Sequence, residues 1–295
     1  MRHLRTLGLC LVAAFALGLI GAASALAKPN EYQKFEECPL ANPKVQENGC
    51  IFARSSSGSE FTAGNIKVPL LKPIDLNMGF HEKEVEPEVE EIIGAEYGNL
   101  TMTKVAQEVP GGLEAAVEPA LLSPAELERY HKIVESGKTK VTATVELAGS
   151  PSAIYLDEAA FLSEENVEAL GLPTQVKLSN PFLGNACYVG STTNPIIVHT
   201  TAGTTSPPEG IEPIKGRRGE IKVNNEGTII HFIGARLVDN TFPVPGVSNC
   251  GKSGGADAAI DAKSGLPSPA GHNTVALEGE LSQAGAGPID EHLTR

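Results

Sequence analysis

Four cysteines behind an export signal set the tightest limit on what this chain can become. Residues 1–27 carry Arg2 and Arg5, an apolar run from Leu7 to Ile20, and Ala25-Leu26-Ala27. A basic start, an apolar middle and a small-residue end make a secretory signal, so the mature chain is expected to begin near Lys28. Cys10 leaves with that segment. Cys38, Cys50, Cys187 and Cys250 remain, an even set in an oxidising compartment, which predicts disulfides. Sequence leaves their connectivity open. Cys38–Cys50 with Cys187–Cys250 is the preferred pairing because it keeps each bridge within a compact part of the chain. The chain-entropy relation assigns about 3 kcal/mol to the shorter loop and about 4 kcal/mol to the longer one.

Charge narrows the partners. The formal net charge is −13, and removal of Arg2 and Arg5 makes it more negative. That excess repels nucleic-acid phosphates and anionic membrane surfaces, so no nucleic-acid partner is expected. No apolar run after residue 27 reaches the roughly 18 residues of a membrane helix, so no transmembrane segment is expected in the mature chain. The polar end, Gly285–Arg295, predicts no wall anchor. These features place the protein outside the cell, free or at its surface as an envelope component.

The rest of the chain is punctuated like a β protein. Gly (31) and Pro (21) recur, so turns are frequent and long helices few. Val141, Ala143, Val145 and Leu147 alternate with Lys140, Thr142, Thr144 and Glu146, the period of a half-buried antiparallel strand. Ile66, Val68 and Leu70 alternate too, with Pro69 placing them at a sheet edge. Pro195–Thr201 is rich in β-branched residues. Asn225-Glu226-Gly227 predicts a hairpin turn between 220–223 and 228–238, and 273–281 reads as a last strand. Ser123-Pro124-Ala125-Glu126 is a helix start, with the helix ending near Glu135. Ser163 reads as the cap of a second short helix over 164–170. His81–Glu96 reads as a solvated acidic connector, and Pro245–Gly271 as a long loop. Together these predict a mainly β fold, an antiparallel β-sandwich-like domain over 28–282 with two short helices, and a flexible tail at 283–295.

Several motifs invite chemistry and fail on context. Gly246 through Gly251-Lys252-Ser253 spells a phosphate loop, but no strand precedes it, glycines follow it, and Cys250 is expected to be oxidised. His81-Glu82 begins a zinc-protease signature, yet Val85 stands where the second histidine belongs. Ser191, His231 and Asp239 supply the residue types of a hydrolytic triad without any nucleophile elbow. Glu82–Glu91 and the Asp257/Asp261 pair offer hard oxygen ligands without calcium-loop spacing. The absence of Trp argues against a sugar-stacking module. No catalytic, cofactor-binding or metal-binding residue is therefore assigned, and no cofactor is expected.

The runs Asn180-Pro-Phe-Leu-Gly-Asn-Ala-Cys187-Tyr-Val-Gly-Ser191, Asn194-Pro195-Ile196 and Asp239-Asn-Thr-Phe-Pro-Val-Pro-Gly-Val-Ser-Asn-Cys250-Gly, with Cys38-Pro39 and Asn48-Gly-Cys50-Ile51, resemble a family of secreted proteins from high-GC Gram-positive bacteria. The resemblance implies extracellular location and paired cysteines. It implies no activity and carries over no site residues. The leading expectation is a secreted non-enzymatic protein with a binding or structural role. A hydrolase whose site assembles only in three dimensions is one alternative, and a carrier of a small apolar ligand between the sheets is another.

Overall fold

Antiparallel strand pairing builds both sheets in the computed structural model of this chain, which describes residues 30–86, 89–94, 100–148, 155–156 and 158–293. The signal segment at 1–27 lies outside the described residues. Residues 34–295 form one compact unit.

The larger sheet runs in the order β13 (Glu220–Val223), β14 (Ile229–Asp239), β16 (Thr274–Gly285), β1 (Gly49–Ser55), β4 (Asp75–Glu86) and β5 (Val89–Gly94). Its margins add β2 (Glu60–Ala63) beside β16, β3 (Ile66–Pro69) beside β2, and β6 (Leu100–Met102) beside β4. The smaller sheet runs β15 (Val247–Ser248), β11 (Tyr188–Val189), β10 (Leu170–Ser179), β8 (Thr142–Leu147) and β7 (Gln107–Glu108), with β12 (Ile196–Thr200) and β9 (Tyr155–Leu156) also on β10. Both sheets contribute alternate apolar residues to one core, including Ile51, Leu76 and Phe232 from the first and Leu170, Leu172 and Val176 from the second. This is the β-sandwich-like arrangement that the alternation predicts. The 220–223/229–239 hairpin forms with Ile221 opposite Phe232.

Both disulfides form as preferred, Cys38–Cys50 and Cys187–Cys250. The first ties a short helix, α1 (Pro43–Glu47), to β1. Gly79 on β4 admits α1, since a Cβ there would run into the Val45 side chain. The second bridge joins the loop after β15 to the start of β11, and both its sulfurs are fully buried.

Six α-helices decorate the described residues rather than two. Besides α1 they are α2 (Gly112–Ala116), α3 (Pro124–Glu135), α4 (Glu158–Ser163), α5 (Asp257–Ser264) and α6 (Ala286–Leu293). α3 starts as expected, with the Ser123 side chain accepting from the Glu126 N–H.

Four expectations need correction. The helix over 164–170 does not form. Ser163 instead ends α4, its hydroxyl donating back to the Ala159 carbonyl at 2.7 Å. Pro173 then lies inside β10, not after a helix. It sits where β10 passes from pairing with β9 to pairing with β8, opposite Ile197 of β12, and its carbonyl accepts from the Ala148 N–H at 3.0 Å. Of the acidic connector at 81–96, the described residues are strand instead: β4 and β5 pair antiparallel with His81 opposite Ile93. The long loop at 245–271 contains β15 and α5. α5 escapes a sequence search because its N-cap, Ala256, offers no side-chain cap. The flexible tail at 283–295 is ordered through 293. Residues 283–285 finish β16, and α6 buries Ile289 completely.

Candidate functional site

Strand alternation sends Leu170, Leu172 and Thr174 of β10 inward from the smaller sheet, together with Val145 and Val198. From the larger sheet Ile51, Ala53, Leu76, Met78, Phe232, Leu237, Leu277 and Leu281 face them. The two layers do not close on one another. They leave a cavity of about 150 Å³, and a second of about 60 Å³ beside it. Close-packed interiors rarely hold voids larger than a water molecule, so space of this size inside a core is exceptional. The second cavity continues along β10 under Val176 and Leu178, and Phe61, Leu70 and Val145 belong to both walls.

The lining offers little to water. Thr174 contributes a hydroxyl, but it donates to the Ile196 carbonyl at 3.0 Å. Space so lined suits small apolar molecules better than water. On the rim stand Gln283 and Glu158.

The apolar surface does not stop at the cavity. Residues directly opposite in a sheet share a face. Val223 is opposite Ile230, and Ile230 is opposite Gln283; Ile221 is opposite Phe232, and Phe232 is opposite Leu281. Ile221, Val223 and Ile230 therefore share the cavity's face, yet they are 46%, 56% and 38% exposed. They form an apolar lip at the β13 edge.

The tempting motifs resolve into structural contacts. In the phosphate-loop look-alike the amides already donate to acids of this chain. Asn249 and Cys250 N–H bond Asp257, at 3.2 and 2.7 Å, and Lys252 N–H bonds Glu126 at 3.1 Å. Val247 N–H bonds Asp261 at 2.8 Å. Asp257 and Asp261 stand one turn apart on α5 and act as anchors for this loop. Burial, reinforced by the neighbouring Asp257 charge, pushes the Asp261 carboxyl above the usual aspartate range, against the Val247 hydrogen bond. Glu126, itself buried, also receives Arg129 at 2.5 Å.

Ser191, His231 and Asp239 are not brought together. His231 and Asp239 lie eight residues apart on β14, about 26 Å at strand rise. Asp239 is fully buried and accepts from the His199 N–H and from both the N–H and hydroxyl of Thr241, each at 2.7 Å. Ser191 closes a turn by accepting from the Asn194 N–H at 3.0 Å. His81 lies on a strand, where helical spacing to residue 85 has no meaning. Among the described residues no cluster of three His, Cys, Asp or Glu is placed to hold a metal. The Glu82–Glu91 side chains lie outside the description.

Sequence reading missed one Ser–His contact. His231 Nδ1 lies 2.9 Å from Ser282 Oγ, and Lys34 Nζ donates to the same hydroxyl at 3.2 Å. Ser282 is opposite His231 on β16, on the face turned away from the cavity, so register would have paired them had it been legible. Ser282 is fully buried beneath these partners, which leaves a substrate carbonyl no approach to its oxygen.

Neither a scan of protein-family models nor searches of curated proteins and of solved structures finds a match to this chain.

Proposed function

We propose that this chain is an exported, non-enzymatic binding protein that holds a small apolar ligand between its two sheets. The observation that carries this reading is the apolar inter-sheet cavity. An empty void of this size costs stability, and a bound apolar molecule offsets that cost by restoring lining contacts. Export is supported by the signal-like residues 1–27, by the two disulfides and by the resemblance to secreted proteins. No described helix is long and apolar enough to cross a membrane.

Thermal unfolding of the delipidated mature protein, with and without small apolar compounds, tests the reading. A ligand at one hundred times its Kd adds about 2.7 kcal/mol, a rise of several degrees in Tm. Ala53→Leu, which fills the cavity from β1, is expected to stabilise the free protein by about 1 kcal/mol and to abolish that rise. A rise of equal size in wild type and Ala53→Leu would place the ligand elsewhere.

The hydrolase reading has one observation in its favour, the Ser282–His231 contact. A fluorophosphonate probe is expected to leave Ser282 unlabelled. Labelling of wild type but not Ser282→Ala would make hydrolysis the better reading.

A further inference from the structure

Resting on the apolar-ligand reading, we infer that the ligand is a single unbranched hydrocarbon chain, lying along β10 and passing out over the Ile221–Val223–Ile230 lip. Three observations point this way. First, the space is spread along one strand in two neighbouring lobes. The two cavities follow one another along β10 from Leu170 to Leu178, eight residue steps or about 26 Å, and share a wall at Phe61, Leu70 and Val145. A compact molecule of the same volume would fill one lobe and leave the other empty.

Second, the interior asks for no polar atom. The Thr174 hydroxyl and, in the second cavity, the Gln107 amide, which accepts from the Lys72 N–H and donates to the Lys72 carbonyl, are bonded within the protein, and the remaining walls are almost wholly apolar, so the buried part of the ligand needs no hydrogen-bonding group. Third, the cavity's apolar face continues to solvent. Ile221 and Val223 stand one strand beyond Phe232 and Ile230, and large apolar side chains left exposed beside an apolar cavity are suited to the proximal methylenes of a chain whose head stays in water. Among apolar ligand classes this geometry fits the acyl tail of a free fatty acid or of a single-chain lipid, which present the same chemistry to the cavity.

Titration of the delipidated protein with saturated n-alkanoic acids of increasing length, by displacement of a fluorescent apolar probe, tests the inference. Each added methylene that enters the cavity is expected to tighten binding by up to about fourfold, with a plateau once the chain fills both lobes. Adamantane carboxylate has the same head on a compact body and is the control. It is expected to bind at least tenfold more weakly than the longest alkanoate. The surface double variant Ile221→Gln/Val223→Gln is expected to weaken octanoate and the longest chains alike, several-fold, because every chain lays its proximal methylenes on the lip; unchanged affinity for all lengths would overturn the exit over the lip. A lysophospholipid with the same tail distinguishes the sources: binding of the acid alone marks a free fatty acid, and binding of the lysolipid marks a lipid-derived chain. Affinity that ignores chain length, or adamantane carboxylate binding as well as the long acids, would overturn the linear chain while leaving the apolar reading intact. Failure of every compound to displace the probe, or a probe that never binds, would bring down both.

Discussion

Glu126 and Asp261 are buried or half-buried acids that stabilise through backbone contacts rather than chemistry. Glu126 gathers Arg129 and the Lys252 N–H, tying α3 to the loop that follows β15. Glu126→Ala leaves that amide and the guanidinium without their acceptor. It is expected to cost about 2–3 kcal/mol in urea melts, against about 1 kcal/mol for loss of the cap in Ser123→Ala. A similar small loss for both would mean that the Lys252 contact contributes nothing. Asp261 behaves differently. Its folded pKa stands above its unfolded value, mainly through burial, so the folded state binds more protons in the window from about pH 3.9 upward. Stability contributed by this group is therefore greatest in acid and falls as pH rises through that window. Asp261→Asn keeps an acceptor for Val247 without the charge. It is expected to be more stable than wild type at pH 7, with the difference vanishing below about pH 4. Parallel stability curves for the two proteins would contradict the assignment. The Ser123 cap was legible from four adjacent letters. The contact of Glu126 with the Lys252 N–H was not, because that amide comes from the far end of the chain.

Elements with a strong local period emerged where alternation placed them, and elements whose period is set by partners did not. β8 and β16 advertise themselves by apolar residues at every second position, and α3 by cap and proline. β10 did so only in part, because Gly171 and Pro173 join it only where β8, β9 and β12 supply the ladders around them. The disulfides act at this same scale. Loss of Cys187–Cys250 by double Ala substitution is expected to cost about 4 kcal/mol, and loss of Cys38–Cys50 about 3 kcal/mol, since the first closes 63 residues and the second 12. Reversed ranking in chemical unfolding would show that native packing, not loop closure, controls their contribution. Two-residue strands β11 and β15 flank the longer bridge, so its loss should first unpair Tyr188 from Ser248. Faster amide exchange at those positions would register it.

For the molecule as a whole, composition and cysteine count bounded the class: an acidic, disulfide-linked, mainly β body, expected outside the cell. Alternation showed which residues face inward, because a pleated strand has only two sides and the apolar one must leave water. It did not show how far inward they reach. Ala53, Leu172 and Leu281 look like ordinary core residues in one dimension. Only the separation and stagger of two sheets decides whether such side chains interlock or leave a channel, and that distance is set by contacts among strands far apart in the chain. The same holds for the lip. Ile221 and Val223 read as one face of a hairpin, and their exposure follows from where β13 ends the larger sheet. Sidedness is written locally, residue by residue, whereas empty volume is a difference between two surfaces that meet only when the fold is complete.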